Sequence, residues 1–232
     1  MSPDLYRLMT WLSPAFPVGA YSHSHGLEWA IEAGWISGRA HLVEWLHDLL
    51  AQGGGWTDAV LFVHAYRAAT DDDAPRLRAL AELAVACQPA RERLIETTAQ
   101  GEAFRRAVDR SWSVGASGSG PLLPMIESGQ LALPLAVAAQ IARHGIGAEP
   151  GLTAYLLAFV ANLVTAAQRL VPLGQSDGQD VLAAVEPILH ATVDRALCLP
   201  DAEPFDQIGS AAWRSDLAAM LHETQYTRLF RT

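Results

Sequence analysis

The sequence contains no lysine, so all 16 of its basic residues are arginine. This absence excludes several familiar mechanisms. A P-loop needs a lysine at the nucleotide phosphates, a protein kinase needs one on its third strand, and a pyridoxal enzyme needs one for its Schiff base. The chain is therefore not expected to hydrolyse nucleotides by any of these routes.

Cysteine is nearly absent as well, since the chain has only Cys87 and Cys198. Two cysteines so far apart form neither a disulfide framework nor a cysteine-rich zinc site. Both lie in alanine- and leucine-rich helical sequence, which predicts inert thiols in the core. The sequence also lacks a Gly-x-Ser-x-Gly elbow and a His-Glu-x-x-His motif. We expect a protein that is not an enzyme; a helical enzyme with an unrecognised site is a remote alternative.

Charged residues are sparse, at 18% of the chain, and the net charge is -9. An acidic balance disfavours nucleic acid, because phosphate recognition needs a basic patch. It suits a basic protein or a divalent cation, although plain solubility is the simpler explanation. Half of the residues are hydrophobic, which allows a sizeable core and some apolar surface for partners. No secretory signal precedes the first helix, so a cytoplasmic location is expected.

Helical periodicity runs through the chain, and no convincing strand alternation appears. We predict an all-α fold, with a single globular bundle of about ten helices over residues 1–221 and a partner-binding C-terminal tail over residues 222–232. Ser113 to Gly120, which is rich in glycine and serine, is predicted to be a long surface loop.

Local signals place several helix ends and faces. Asp73 is a predicted N-cap with Pro75 in the first turn, and Ser176 and Gln179 are predicted to form a capping box. Residues recur at helical spacing in three of the predicted helices. These are Leu5, Leu8, Met9 and Leu12 in the first, Leu94, Ile95, Thr98, Gly101, Phe104, Arg105 and Val108 in a central one, and Trp213, Leu217, Met220 and Leu221 in the last.

Residues 151–168 carry no charge and resemble a membrane span. The segment is rich in alanine and contains threonine, tyrosine and asparagine, whereas a span needs about 20 strongly apolar residues. A helix surrounded on all sides by protein is therefore favoured over a membrane-embedded bundle.

Three segments concentrate polar and special residues. Residues 13–28 form a loop with two prolines, two glycines and the histidines His23 and His25. Two histidines are too few for a closed metal site, and capping of the next helix by Ser22 or Ser24 is the alternative explanation of this loop. His23 and His25 remain candidate metal ligands.

The second segment, residues 169–179, joins the uncharged helix to the next one. A tight turn explains its proline and glycines, but the gathered arginine, glutamines and aspartate can equally order one another or face a partner. The third segment, residues 222–232, interleaves Tyr226, Leu229 and Phe230 with arginines. Tyrosine and arginine dominate interface energetics, so this tail either docks on its own domain or folds against another protein.

The same three segments resemble the signatures of the UreF family of urease accessory proteins. Its N-terminal signature is similar to residues 12–19 (Leu-Ser-Pro-Ala-Phe-Pro-Val-Gly), followed by Tyr-Ser-His-Ser at 21–24 and Gly-Leu-Glu at 26–28. Residues 170–175 (Leu-Val-Pro-Leu-Gly-Gln) with Gly-Gln at 178–179 resemble its central signature, and residues 222–231 (His-Glu-Thr-Gln-Tyr-Thr-Arg-Leu-Phe-Arg) its C-terminal one. Residues 70–129 match the family in helical pattern more than in motif.

The resemblance implies an all-helical homodimer that acts as a non-catalytic scaffold. UreF-like proteins bind UreD, also called UreH; the pair recruits the nickel-carrying GTPase UreG and docks on the urease apoprotein. No cofactor is expected to be stably bound, because nickel is handled by the complex. The tail is implied to contact UreD/UreH and to help order the surface that receives UreG. The nearest alternative is a metallochaperone that binds nickel directly.

The residues expected at partner surfaces lie in the three signature segments. They are Tyr21, Ser22, Gly26, Glu28, Arg169, Pro172, Gly174, Gln175, Gln179, His222, Glu223, Gln225, Tyr226, Arg228, Leu229, Phe230 and Arg231.

Overall fold

The computed structural model describes residues 2–112, 126, 129–202 and 204–232. These residues contain ten α-helices and no β-strand, which confirms the all-α prediction. The helices are α1 (Pro3–Trp11), α2 (Leu27–Glu32), α3 (Arg39–Gln52), α4 (Gly54–Thr70), α5 (Ala74–Ala86), α6 (Arg91–Ser111), α7 (Leu133–Arg143), α8 (Ala148–Leu170), α9 (Gln175–Leu197) and α10 (Trp213–His222). The loop predicted at residues 113–120 lies outside the described residues.

Helix α4 forms the centre of the core and packs against α3, α5, α7, α8 and α9. Its side chains from Ala59 to Ala65 are all buried, as its apolar sequence on every face requires. Helices α6 and α7 approach closely at Gly101, where an added Cβ would lie 2.1 Å from the Leu131 carbonyl oxygen. Only glycine fits this contact, which fixes where α7 begins relative to α6.

Local capping chemistry is partly as predicted. Asp73 accepts a hydrogen bond from the Arg76 N–H at the start of α5, which confirms the predicted cap. The predicted capping box of Ser176 and Gln179 is wrong, because α9 begins at Gln175 and both residues lie inside it. Asp177 instead accepts a hydrogen bond from the Gly174 N–H at 2.9 Å, so a carboxylate one turn into the helix satisfies the backbone at the cap.

The three sets of residues with helical spacing differ in burial. Of the four in the first set, Leu8 is buried, whereas Leu5 and Met9 are exposed. On α6 Ile95 is exposed, and charged residues take its place inside. Helix α10 is inverted, because its buried residues are Ser215, Ala218, Ala219 and His222, and its large apolar residues point outward.

The close approach of α2 explains the inversion of α10. An added Cβ at Gly26, at the start of α2, would lie 2.6 Å from the Ala219 backbone nitrogen. Only small side chains fit between backbones at this distance, so Trp213, Leu217 and Met220 take the outer side of the helix. Apolar spacing alone does not distinguish this arrangement from an ordinary buried face.

Helix α8 is long and apolar enough to cross a membrane by length and composition, and half of its apolar window is buried inside the protein. The prediction that protein surrounds it on all sides is wrong, because Leu157 on one face is 49% exposed. Cys198 is also exposed and Cys87 is partly buried, contrary to the predicted core thiols. Each cysteine caps the C-terminal end of a helix, where burial is lower than in the helix interior.

Candidate functional site

The C-terminal segment folds back onto the loop that precedes α2. The Ser24 N–H and hydroxyl both donate to the Thr232 backbone oxygen, at 2.7 and 2.6 Å. The Arg231 N–H donates to the Ser22 carbonyl at 2.9 Å. Ser24 also accepts a hydrogen bond from the Glu28 N–H in the first turn of α2, whose N-cap residue is Gly26. The first and third signature segments therefore form one structure, which we call the tail clasp: residues 22–28, Glu92, Arg93 and Glu96 of α6, and residues 222–232.

Glu28 fixes the direction of the tail. Its carboxylate accepts the N–H groups of Leu229 at 2.6 Å and Phe230 at 2.9 Å. The same carboxylate lies 3.2 Å from Nε2 of His222, and only 6% of Glu28 is exposed. A buried carboxylate with three partners determines the backbone path of the tail, because losing any partner leaves a costly unsatisfied group.

His222 links α10 to α6. It is fully buried, and its Nδ1 lies 2.6 Å from a Glu92 oxygen, opposite the contact with Glu28. Arg228 donates to the other Glu92 oxygen at 2.7 Å. Two further predicted residues act nearby: Glu223 accepts the Arg91 N–H at the start of α6, at 2.7 Å, and Gln225 donates to Glu32.

A second buried cluster lies at the end of the tail. Glu96 accepts hydrogen bonds from Arg93 and from the Thr232 hydroxyl, and it lies 3.5 Å from Nδ1 of His25. Burial alone would raise the pKa of Glu96, but Arg93 and His25 hold it well below its usual value. Burial, aided by Arg93, lowers the pKa of His25 to about 4, and burial lowers the pKa of His23. Both histidines are therefore neutral at pH 7.

Arg169 brings the second segment to the clasp. Its guanidinium lies 4.4 Å from the centre of the Phe230 ring and donates to the Tyr21 carbonyl at 3.0 Å. Phe230 is only 4% exposed, so this cation–π contact covers a buried ring. Residues from all three signature segments thus meet within one set of contacts.

The remainder of the second segment faces solvent. Pro172 and Gly174 are exposed in the turn before α9, and Gln175 and Gln179 are exposed at the start of that helix. Behind them Gly178 packs against Gln168, which donates to the Gly174 carbonyl at 3.0 Å. The turn is therefore held by internal hydrogen bonds and presents its other polar groups outward.

An exposed apolar surface adjoins the tail. Tyr226 is fully exposed and Leu229 is 55% exposed. On α10 the exposed residues Trp213, Leu217 and Met220 follow at helical spacing, which makes a stripe along the helix. Sequence analysis singled out Tyr226 and Leu229 but assigned the residues of the α10 stripe only to a helix.

Arg93 and Glu96 were not predicted. They lie in the middle of the chain, where no motif marks them. Their spacing of three on α6 is a signal, but the same spacing is common in surface ion pairs. Only the burial of both side chains distinguishes this pair, and burial follows from the tertiary structure.

A separate groove opens between α1, α6, α7 and α8. It has a volume of about 810 Å³ and mostly apolar walls. At its base the Tyr155 hydroxyl donates to the Asp58 carboxylate at 2.6 Å. A smaller cavity of about 40 Å³ shares His25, Asp58 and Arg93 with the groove. Burial raises the pKa of Asp58 to about 6, although the Tyr155 hydrogen bond opposes the shift.

The histidines singled out as metal ligands are occupied. Nδ1 of His23 lies 3.0 Å from the Thr232 hydroxyl, and Nδ1 of His25 faces Glu96. Among the described residues, no three histidine, cysteine, aspartate or glutamate side chains are grouped to hold a metal ion. The geometry therefore gives His23 and His25 structural roles in the tail clasp.

Comparison with known proteins identifies the family of this chain. The UreF family model matches residues 36–186. A protein of Rhodopseudomonas palustris (strain BisA53), named urease accessory protein UreF, is 51% identical, with 100% of this chain and 94% of the relative covered. Proteins of the same name from Bradyrhizobium sp. (strain BTAi1 / ATCC BAA-1182) and Bradyrhizobium diazoefficiens (strain USDA 110) are 50% and 48% identical, covering 99% and 98% of this chain and 92% and 91% of their own. With this similarity along its whole length, the chain belongs to the UreF family.

Proposed function

We propose that this protein is a non-catalytic accessory protein of urease maturation, which acts by binding other proteins. One observation carries the proposal: the three signature segments converge on the tail clasp and present an exposed apolar surface beside it. Buried polar contacts order the tail, while Tyr226 and Leu229 remain free of the core. An ordered segment with exposed anchors is suited to partner binding, because less conformational entropy is lost on association.

The proposed partners are UreD/UreH, the GTPase UreG and the urease apoprotein. This chain and UreD/UreH together recruit UreG to the apoprotein and support nickel insertion, with nickel as cargo of the complex rather than a resident cofactor. This division of labour is supported by the absence of lysine, because a chain without a P-loop lysine needs a separate GTPase.

We assign UreD/UreH binding to the tail and the α10 stripe. Tyr226, Leu229, Trp213, Leu217 and Met220 supply aromatic and aliphatic anchors. Exposed apolar patches of this kind mark interaction sites on otherwise polar surfaces. The tail residues 222–232 then form a functional unit distinct from residues 1–221, with Phe230 and His222 fixing the conformation and Tyr226 making contact.

We assign UreG recruitment to the turn before α9. Pro172 of this turn is exposed, as are Gln175 and Gln179 at the start of α9, and Arg169 connects the turn to Phe230 of the tail. Binding at the tail can therefore affect the turn through a single stacked contact.

We assign homodimer formation to the face made by α1 and α8. Leu5, Tyr6 and Met9 of α1 are exposed, as is Leu157 of α8. An interface related by two-fold symmetry uses the same patch of both copies, and this exposed apolar face can supply such a patch. The buried half of α8 packs against α4 and α9. This packing supports the interpretation of α8 as a core helix of a cytoplasmic protein.

A matched pair of substitutions separates the two surfaces. Leu157 and Met220 are each 49% exposed and apolar. Met220→Arg is expected to weaken capture of UreD/UreH in a pull-down while leaving the dimer intact. Leu157→Arg is expected to weaken the dimer, measured by light scattering, while leaving capture intact. Equal effects of both substitutions in both assays would reject the assignment.

The tail itself is tested by deletion of residues 223–232. Loss of UreD/UreH capture is expected, and undiminished capture would reject the role of the tail. The accessory function is tested by reconstitution of apo-urease with nickel, bicarbonate and the other maturation proteins. Urease activity should depend on this chain, and the same yield without it would refute the proposed function.

Direct nickel binding is the rival function. It predicts tight nickel binding by the isolated protein, measured by calorimetry and lost in His23→Ala. The contacts of His23 with Thr232 and of His25 with Glu96 favour the scaffold, because a metal ion at either Nδ1 would have to displace that partner.

A further inference from the structure

The base of the groove contains a carboxylate without a cationic partner. Asp58 projects from α4 and accepts one hydrogen bond, from Tyr155 at 2.6 Å. In the described part of the chain no arginine or histidine forms an ion pair with Asp58, whereas the buried carboxylates Glu28, Glu96 and Glu102 each have one. Asp58 is partly buried. A carboxylate withdrawn from water without a counter-charge is unfavourable and is a candidate for ligand binding.

The charged groups around Asp58 leave a net negative charge. Arg93 also lines the groove, but it is paired with Glu96, and His25 beside them is neutral because its pKa is lowered to about 4. Arg93 and Glu96 cancel each other, so the charge of Asp58 remains. A ligand that enters the groove therefore meets one unbalanced negative charge at the base.

The remaining walls select an apolar ligand body. Leu8 and Trp11 of α1, Phe104 of α6 and Ala158 of α8 line the groove above Asp58. A volume of about 810 Å³ lies within the range of small-molecule sites, and apolar walls with a few converging polar groups are typical of them.

We propose that this groove binds a small organic cation, with an ammonium or guanidinium group against Asp58 and an apolar body along α1 and α8. Ammonium and guanidinium groups carry several hydrogen-bond donors and no acceptor. The ligand can therefore pair with the Asp58 carboxylate and also donate a hydrogen bond to the Tyr155 hydroxyl oxygen. The site is separate from the exposed tail and α10 stripe proposed to bind UreD/UreH, and pairing of two copies along α1 and α8 would enclose it.

Binding of 4-phenylbutylamine to the full chain tests the proposal, with 4-phenylbutan-1-ol as its neutral counterpart. Ligand-observed NMR at pH 8 should give an affinity for the amine at least tenfold higher for the wild type than for Asp58→Asn. The alcohol should bind both proteins equally. Asp48→Asn, which removes an exposed carboxylate, should leave the amine affinity unchanged.

The pH dependence of binding supplies a second test. Tyr155, Arg93, Glu96 and His25 face Asp58, Cys87 and Asp216 line the adjoining cavity, and Glu149 and His190 line the groove. The pKa raised to about 6 is that of Asp58. The amine affinity of the wild type should therefore fall about tenfold from pH 8 to pH 5, while the amine affinity of Asp58→Asn and the alcohol affinity of both proteins stay constant. Equal binding of amine and alcohol, no binding of either, or an amine affinity independent of pH would overturn the proposal. None of these outcomes bears on capture of UreD/UreH.

Discussion

The tail clasp and the apolar groove share Glu96 and His25 but are built from opposite kinds of contact. The clasp consists of buried, hydrogen-bonded charged groups that specify one backbone path for the tail. The groove consists of apolar side chains around one uncompensated carboxylate, and its rim on α1 is exposed. In the tail clasp nearly all polar groups have hydrogen-bonding partners within the protein. The groove leaves one charge and an apolar surface open to a ligand.

This difference shows that one region fixes the conformation of the tail and that the other leaves a surface open to another molecule. Hydrogen bonds to buried carboxylates depend strongly on geometry, so they suit a tail that must adopt one conformation. Apolar contacts are non-directional, so they suit a surface that another molecule completes. The following substitutions and titrations test this contrast.

Removing the charge at the centre of the clasp should have the largest effect. Glu96→Ala leaves Arg93 buried without its partner and frees the Thr232 hydroxyl. We expect the free energy of unfolding to fall by about 3–5 kcal/mol, measured by urea denaturation at pH 7. Glu186→Ala serves as control, because its side chain is 70% exposed, and it should change stability by less than about 0.5 kcal/mol. A similar small change for Glu96→Ala would show that the clasp contributes no stability.

The backbone fit of the clasp should have the next largest effect. Gly26 has φ +78° and no space for a Cβ against Ala219, whereas Gly34 has φ +76° and open space. Both alanine substitutions carry the cost of a left-handed conformation, roughly 1–2 kcal/mol, and Gly26→Ala adds overpacking of about 1–3 kcal/mol. Thermal denaturation should therefore place Gly26→Ala below Gly34→Ala. Equal melting temperatures would indicate that α10 shifts without cost.

The two regions should respond to acid with opposite signs. The pKa of His25 is lowered from 6.5 to about 4 by burial and Arg93. Its unfolded form therefore takes up a proton first, and stability is lost as pH falls through this window. The pKa of Asp58 is raised from 3.8 to about 6 by burial. As pH falls, Asp58 takes up a proton in the folded protein before it does so in the unfolded chain. The free energy of unfolding therefore rises as pH falls below about 6, and this increase is lost as pH rises through about 6.

Single substitutions at Asp58 and His25 separate the two opposite dependences of stability on pH. Relative to the wild type, Asp58→Asn should lose stability more steeply between pH 6 and pH 4.5, by about 1 kcal/mol per pH unit. His25→Gln should lose it less steeply over the same range. Urea denaturation at a series of pH values measures both slopes, and parallel curves for all three proteins would contradict the assigned shifts.

The rim of the groove should show the smallest effect. Met9 is 62% exposed, so Met9→Ser is expected to change the free energy of unfolding by less than about 0.5 kcal/mol. Leu8, on the same helix, is 6% exposed, and Leu8→Ala should cost about 2–5 kcal/mol. A large loss for Met9→Ser would mean that this face is part of the core.

Sequence predicted those features that depend on neighbouring residues. The helical class and the cap at Asp73 follow from local spacing, and both are confirmed. Contacts of the tail could not be predicted in this way, because Glu28 and Phe230 are separated by 202 positions. The family resemblance marked both segments as important without showing that they touch. The outward face of α10 also escaped prediction, since it depends on how closely α2 approaches.

Helix α10 carries its folding contacts and its proposed recognition residues on opposite sides. Serine, alanine and histidine face α2 and α6, while Trp213, Leu217 and Met220 face solvent. Substitutions on the outer side can therefore alter the choice of partner without disturbing the interior. Redesign of specificity in this protein can begin from those three positions on an unchanged scaffold.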